Sequence, residues 1–275
     1  MAGSDGGVFT SSDACALSMV RRIAAMLDLD PFEFGWDALL PRGWHFFLMA
    51  ALTRRQNLRA DGFPGLGVEM PDLGLPRLLL AGRTVEYLDD IHIGSQVERR
   101  SLVRDISEKH DDKGRRAVVT IGHELYVAAG SSPAIVETQT YLLLPAGDRF
   151  QVTERPVQTI AADKTHTITP DATLLFQFSA LGFNSHRIHV DRDFARDVEG
   201  YPDLVVNGGL TALLLTEFAR KNLGLAPKSI SIRNTAPLFS ERPITLAASQ
   251  EGSLWRLRAH DETGAIAADA KLEIV

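Results

Sequence analysis

Apolar positions along the chain change period several times, and each change marks an element. Leu17, Val20, Ile23, Ala24 and Leu27 recur at helical spacing and predict a helix over about 12–28. Pro41-Arg42-Gly43 then breaks the chain. Trp44 to Asn57 follows without Gly or Pro, apolar on most of its circumference (Phe47, Leu48, Met49, Leu52) and basic at its end (Arg54, Arg55), which predicts a buried helix. From Pro76 the texture becomes that of strands, rich in Val, Ile, Thr and Tyr: Leu78–Leu80, Gly82–Tyr87, Gln96–Ser107, Arg116–Val127 and Ala134–Leu144. Turn clusters at Asp111-Asp112-Lys113-Gly114 and Gly130-Ser131-Ser132 separate them.

The second half repeats this plan. A loop through Asp197–Asn207 leads to Gly208 and a predicted helix over Gly209–Asn222, with Leu210, Leu213, Leu214 and Phe218 apolar. Strands follow at Ser229–Arg233, Ile244–Gln250, Ser253–Asp261 and Ala265–Ile274. Laid on one another without a gap, Gly43 meets Gly208, Leu48 meets Leu213, Arg55 meets Arg220, Asn57 meets Asn222 and Leu58 meets Leu223, as an internal duplication requires. A largely apolar helix followed by an antiparallel sheet that must cover it is an α+β layer arrangement. Two copies can bury sheet edges against each other. The expected architecture is a double hotdog, two repeats each with a long central helix wrapped by an antiparallel sheet.

Composition sets the function classes. The chain has 275 residues, 45% hydrophobic and 23% charged, the balance of a globular protein with a real core. Its 29 Lys and Arg against 35 Asp and Glu leave a net charge of −6, which disfavours nucleic acid and an acidic membrane surface as partners. Cys15 alone can form neither an internal disulfide nor a zinc cluster, and fits a reducing cytoplasm. Met1–Gly7 has no signal-peptide pattern, and no run approaches the length of a membrane span. Gly-x-Gly-x-x-Gly, Walker and Gly-x-Ser-x-Gly patterns are absent, so no nucleotide cofactor and no α/β-hydrolase elbow is indicated.

The chemistry concentrates in Phe183-Asn184-Ser185-His186-Arg187-Ile188-His189-Val190-Asp191 and in Gly200-Tyr201-Pro202 through Asn207-Gly208-Gly209-Leu210. This segment resembles the MaoC-like, (R)-specific enoyl-thioester hydratases, whose motif runs Asp-x-Asn-Pro-(apolar)-His, followed downstream by a His-Gly pair at the start of the hotdog helix. On that resemblance the family's catalytic Asp falls on Asn184, its Asn on His186, its Pro on Arg187 and its catalytic His on His189. The His-Gly pair falls on Asn207-Gly208, with the Gly208 N–H as oxyanion donor, and a helix hydroxyl falls on Thr216. Spacing is kept while several identities are not. The variant motif, with Leu80-Ala81-Gly82-Arg83-Thr84-Val85-Glu86-Tyr87 in the first half, is similar to the fused double-hotdog subgroup of mesaconyl-C4-CoA and itaconyl-CoA hydratases and type-2 hydroxyacyl-thioester dehydratases.

Physical chemistry supports the same residues. Adding water to a thioester-conjugated double bond builds an enolate oxygen, which the free N–H groups at a helix start can stabilise. Gly208, without a side chain, admits the thioester, and Gly209 beside it completes the contact. His189 is the residue type matched to taking a proton from water. Asn184 cannot exchange a proton at neutral pH, so its expected role is to orient water. Arg187 in place of proline, with His186 beside it, suits binding of an acyl carboxylate. The first half offers no counterpart, since Met19 and Ala24 stand where Asn184 and His189 would map.

Other readings stand beside these. His186-x-x-His189 with Asp191 is a conceivable metal set, although its spacing is not that of a recognised zinc site. Arg187 can pair with Asp191 or Asp193, Thr216 can bond back to its own helix, and Arg83 and Arg233 read as structural repeat mates. Arg187, Arg192, Arg220, Lys221 and Lys228 form a candidate basic rim for CoA. The expected organisation is a noncatalytic repeat with an extra helix over 1–150, a linker over 151–164 and a catalytic repeat over 165–275. The expected activity is cofactor-free hydration of a small branched dicarboxylic enoyl-CoA to a hydroxyacyl-CoA. The competing readings are a 3-hydroxyacyl-ACP or CoA dehydratase, a thioesterase and a noncatalytic thioester-binding protein, and a homodimer is compatible with all of them.

Overall fold

A computed structural model describes residues 3–5, 7–111, 114–127, 130–146, 150 and 156–274. Asp112, Lys113, Gly147 and residues 151–155 of the expected linker lie outside the described residues. The first half contains strands β1 (Gly3–Asp5) and β2 (Val8–Ala14), helix α1 (Leu17–Met26), and strands β3 (Arg77–Tyr87), β4 (Gln96–Asp111), β5 (Gly114–Val127) and β6 (Ile135–Leu144). The second contains β7 (Lys164–Ile168), α2 (Ala172–Leu181), α3 (Gly208–Leu223), β8 (Pro227–Asn234), β9 (Ile244–Glu251), β10 (Leu254–His260) and β11 (Ile266–Ile274).

All these strands join one antiparallel sheet in the order β1-β2-β4-β5-β6-β3-β8-β11-β10-β9-β7. Read outward from the middle, β3-β6-β5-β4-β2 and β8-β11-β10-β9-β7 have the same connectivity, so the duplication inferred from sequence is a duplication of topology. The two copies meet where β3 pairs with β8, Gly82 opposite Arg233 and Val85 opposite Ile230. Two neighbours on the inner side of this double hotdog are an α-helix and an irregular segment, and here the copies differ.

In the second half the expected long helix is present. Ten consecutive residues of α3, Leu210–Ala219, are buried, a pattern tolerated only by a helix covered all round. Its Leu and Phe side chains each contribute about 1.5–3 kcal/mol by leaving water. In the first half the expected helix over Trp44–Asn57 is a six-residue 3-10 turn, Trp44–Met49, then extended chain and a second short turn at Arg55–Asn57. Arg99, 2% exposed, reaches from β4 to the carbonyls of Leu48 (3.5 Å) and Ala50 (3.2 Å), which a continuing helix would use for itself. The Arg55–Arg220 and Asn57–Asn222 matches therefore have no structural counterpart.

Two boundaries also differ from the sequence reading. Residues 8–14 pair with β4 instead of opening the helix predicted from 12, because β4 supplies hydrogen-bond partners that outweigh local preference. Lys164–Ile168, which the sequence reading did not mark as a strand, begins at the end of the expected linker and pairs with β9 as the edge strand β7. Helix α2, which the sequence reading did not mark, is N-capped by Asp171, whose Oδ1 accepts from the Leu174 N–H at 2.7 Å. Among the described residues no helix is long and apolar enough to cross a membrane.

The short turn of the first half docks on α2 and α3. Phe46 stacks on Phe178 with centroids 4.6 Å apart, and the Trp44 indole N–H donates to Glu217 Oε1 at 2.8 Å. Gly43 precedes the turn at φ +97, and a Cβ there would stand 2.5 Å from Thr216 Oγ1. Gly43→Ala is therefore expected to lower stability by about 2–4 kcal/mol through left-handed strain and overpacking. Urea unfolding checks this: adding Thr216→Ala should recover part of the loss, and an unchanged midpoint for Gly43→Ala would refute the crossing.

Candidate active site

The site is built on the loop that leaves α2 and on the start of α3. After Leu181 the chain turns through Gly182 and Phe183, the latter at φ +49, and the Asn184 N–H donates back to the Ser179 carbonyl at 2.8 Å. Asn184 Oδ1 accepts from the His186 N–H at 3.1 Å, an Asx turn that leaves the amide Nδ2 as a donor. Arg187–His189 then forms a single 3-10 turn with His189 buried. The Val205 N–H bonds to the Ile188 carbonyl at 2.9 Å, which draws the chain back along the loop just before α3 begins.

That return positions the imidazole. His189 Nδ1 lies 2.6 Å from the Val205 carbonyl oxygen, which can only accept, so Nδ1 carries the proton and Nε2 keeps its lone pair. Burial, reinforced by neighbouring His186 and opposed by the Val205 bond, pushes the His189 pKa down to about 3. His189 is therefore neutral at pH 7, the form that can accept a proton. An imidazole so depressed is a weak base, and a negative charge forming beside it would favour the imidazolium and strengthen it.

Asn207 caps α3 at φ −59, ψ 132, and its Nδ2 donates to Ser179 Oγ at 3.3 Å. The same serine holds Asn184 by its carbonyl, so Ser179 ties the helix start to the water-orienting candidate. The first amides of α3 have no partner within the helix and are the donors an oxyanion needs. Around them the fit is close: a Cβ on Gly208 would lie 3.2 Å from Leu80 Cδ2 and 3.1 Å from Asn234 Nδ2, and one on Gly209 3.1 Å from Phe178 Cζ. The buried Asn207 Oδ1 has no hydrogen-bond partner.

The first half supplies a wall that the motif did not signal. The Arg187 N–H donates to the Asp61 carbonyl at 2.8 Å and Ser185 Oγ donates to the Gly62 carbonyl at 2.7 Å. His186 Nε2 lies 3.7 Å from Asp61 Oδ2, with the Phe63 ring edge-on to the imidazole. Burial lowers the His186 pKa, Asp61 opposes the shift and Arg59 adds to it. The rings of His186 and His189 stand perpendicular at 5.4 Å, so His186 borders the proposed base. Asp61 lies more than a hundred residues upstream, and nothing in its local sequence marks it.

Several candidates are engaged elsewhere. Arg187 Nε and Nη2 both donate to Asp191 Oδ2, at 3.0 and 2.8 Å, and the guanidinium lies 4.1 Å from the Phe194 ring centroid. Its expected role in carboxylate binding is thus taken by the nearby acid. Asp191 Oδ1 caps the Phe194 N–H, so both its oxygens are occupied and it does not join the two histidines as a third metal ligand. Thr216 Oγ1 donates to the carbonyls of Ala212 and Leu213 instead of facing a substrate, as a helix-buried hydroxyl does when it finds no other acceptor. The basic rim also disperses: Arg192 pairs with Asp203 and Arg220 with Glu217. Arg220 and Lys221 sit at the far end of α3, about 18 Å along the helix from Gly208.

Comparison with known proteins gives a consistent picture. The family described as hydroxyacyl-thioester dehydratase type 2 matches residues 43–240. The mesaconyl-C(4)-CoA hydratase of Chloroflexus aurantiacus is 34% identical over 264 residues, 94% of this chain and 92% of its own. The mitochondrial hydroxyacyl-thioester dehydratase type 2 of Schizosaccharomyces pombe is 23% identical over 241 residues, 78% of this chain and 80% of its own. A MaoC-like dehydratase structure from Phytophthora capsici has the same fold, with a TM-score of 0.70 at 17% identity, covering 98% of this chain and 95% of that one.

Buried neutral histidines set a pH dependence. His189, at about 3, and His123 on β5, which burial pushes down to about 4, both bind protons less readily folded than the ordinary 6.5 of an unfolded chain. Their contribution is complete above pH 6.5 and is lost as pH falls below it, because the unfolded chain takes up protons first. Each adds a slope of up to about 1.4 kcal/mol per pH unit. Urea midpoints should fall steadily from pH 7 to 4.5, and nitrogen NMR should show His189 neutral and protonated at Nδ1 at pH 6. A charged His189 at that pH would contradict the buried tautomer.

Proposed function

The chain belongs to the hydroxyacyl-thioester dehydratase type 2 family, and from that membership we propose that it hydrates the CoA thioester of a small branched dicarboxylic acid, mesaconyl-C4-CoA, to citramalyl-CoA. Hydro-lyase chemistry belongs to the family; the acyl group is the one named for the Chloroflexus relative. The observation that carries the mechanism is His189, neutral with Nδ1–H on the Val205 carbonyl, a few residues before the open amides at Gly208. Itaconyl-CoA is the close alternative acyl group.

In this reading the thioester carbonyl rests on the Gly208 N–H, with Gly209 lining its approach. Asn184 Nδ2 donates to the oxygen of a water molecule. His189 Nε2 removes a proton from that water as its oxygen bonds to the β-carbon, and the π electrons move to the carbonyl oxygen. The imidazolium then returns the proton to the α-carbon, so one residue performs both transfers and nothing further is consumed. The reverse sequence is dehydration of a hydroxyacyl thioester, the reaction in the name of the Schizosaccharomyces relative.

The first repeat, over 1–150, carries no such constellation in this reading and shapes the acyl pocket, with 151–164 leading to the catalytic repeat over 165–275. The single cysteine, Cys15, buried and with its thiol pKa raised to about 11 by burial, fits a reducing cytoplasm. A homodimer is a further proposal, and a monomer mass on size-exclusion chromatography would refute it.

Loss of conjugated thioester absorbance on mixing with mesaconyl-C4-CoA, crotonyl-CoA and crotonyl-ACP, and product mass for itaconyl-CoA, test the reading. Mesaconyl-C4-CoA should be consumed fastest, and His189→Ala should lower kcat/KM by about 10²–10⁴-fold. Release of free CoA without a hydroxyacyl product would instead mean a thioesterase. Inertness towards every substrate would mean a noncatalytic binding protein.

A further inference from the structure

We infer that the interior of the first repeat is an anion-binding chamber in which Arg83 receives the distal carboxylate of the acyl group. The inference deepens the reading above and rests on it for the identity of the acyl chain. It begins with what the missing helix left behind. On the inner face of the first half-sheet, Glu137 on β6 stands opposite His123 on β5, which stands opposite Ser101 on β4, and the neighbouring level pairs Gln139 with Arg83 on β3. A long apolar helix would demand apolar partners here. Instead Ser101, His123, Glu137 and Gln139 are all buried, and His45 descends on them from the 3-10 turn.

Part of this cluster satisfies itself. His45 Nε2 meets Glu137 Oε2 at 2.8 Å, Gln139 Nε2 donates to Glu137 Oε1 at 2.6 Å, and His123 Nδ1 meets Ser101 Oγ at 2.8 Å. The rest does not. Five buried side-chain nitrogen or oxygen atoms among the described residues lack a hydrogen-bond partner: His45 Nδ1, Arg83 Nε, Arg99 Nε and His123 Nε2 here, and Asn207 Oδ1 at the cap of α3. Unmade bonds of this kind are costly and cluster where something else makes them.

Charge gives the sign of the missing partner. The charged groups here are two guanidiniums, Arg83 and Arg99, against one buried carboxylate, Glu137; Asp13 on β2, which acts on Arg99 more strongly than Glu137 does, is exposed to solvent. Burial alone would raise the Glu137 carboxyl, but Arg83 and His45 overcome it and hold the group ionised, while burial keeps His123 neutral. One positive charge is left over. Arg83 is the accessible one: its side chain is 15% exposed and its contact with Glu137 is long, 3.4 Å.

Position ties the chamber to the chemistry. The register of β3 shifts between Leu80 and Gly82, a bulge that turns the strand beside the start of α3. Arg83 Nη2 lies 4.0 Å from where a Cβ on Gly209 would be. The outer carbons of a trans four-carbon enoyl unit are about 3.8 Å apart, the span of a trans peptide. A thioester carbonyl on Gly208 therefore brings a carboxylate at the other end of the unit within reach of Arg83. An alkyl end in the same place would bury these donors unpaired, which selects against it.

Saturated thioesters separate this inference from the hydratase reading, because they bind without reacting. Calorimetry with succinyl-CoA and butyryl-CoA should show the wild type preferring succinyl-CoA by about tenfold or more. In the Arg83→Met, Glu137→Gln double variant, which removes both members of the ion pair together, the ratio should fall to about one. Arg83→Lys, which keeps the charge opposite Glu137 if the double variant does not fold, should reduce the ratio several-fold. No preference in the wild type, or a preference that survives loss of Arg83, overturns the inference. Turnover of mesaconyl-C4-CoA is read separately, so a tenfold preference without turnover rejects the hydratase reading alone, and turnover without a preference rejects the Arg83 chamber alone.

Discussion

The antiparallel pairing of β3 with β8 places the two half-sheets edge to edge, and the geometry of the site follows from it. It brings Leu80 and Arg83 of the first half against Gly208 and Gly209 of the second. Close packing at these glycines leaves no room for side chains, so the start of α3 stays open as bare backbone. The polar inner face of the first half-sheet becomes the neighbour of that opening.

The copies have diverged in a complementary way. The second kept its apolar central helix and with it a set of amides aimed in one direction. The first exchanged its helix for a short turn held by Arg99, and the space beneath became polar. A long alkyl chain would find the first interior hostile, whereas a short acyl group ending in a carboxylate would find partners.

In the proposed reading, Asn184 in the place of the family's aspartate leaves proton transfer to His189. The structure meets that demand by fixing one tautomer through a backbone carbonyl. A carbonyl does not titrate, so the orientation of the imidazole persists across pH. Burial, with His186 beside it adding to the effect, lowers the affinity of His189 for a proton, and in the proposed reaction the growing enolate would restore it.

Much of this was legible in the chain. Apolar period identified α3 and most strands, and the resemblance carried by Asn184, His189 and Gly208 pointed to the family, because helical and strand periodicity and short motifs are local properties. What the sequence could not show was which distant group each side chain meets. Arg187 could serve a substrate or pair with Asp191, and the fold gives it to Asp191; Arg83 read as a structural mate of Arg233 and stands beside the start of α3. Trp44–Asn57 has the composition of a buried helix, and only the arrival of Arg99 from β4 at its carbonyls decides that it is not one. Sequence determined which residues must be buried and which can do acid–base work. Tertiary structure decided which hydrogen bonds and charges remain unmet after folding, and those unmet groups are what a substrate can use.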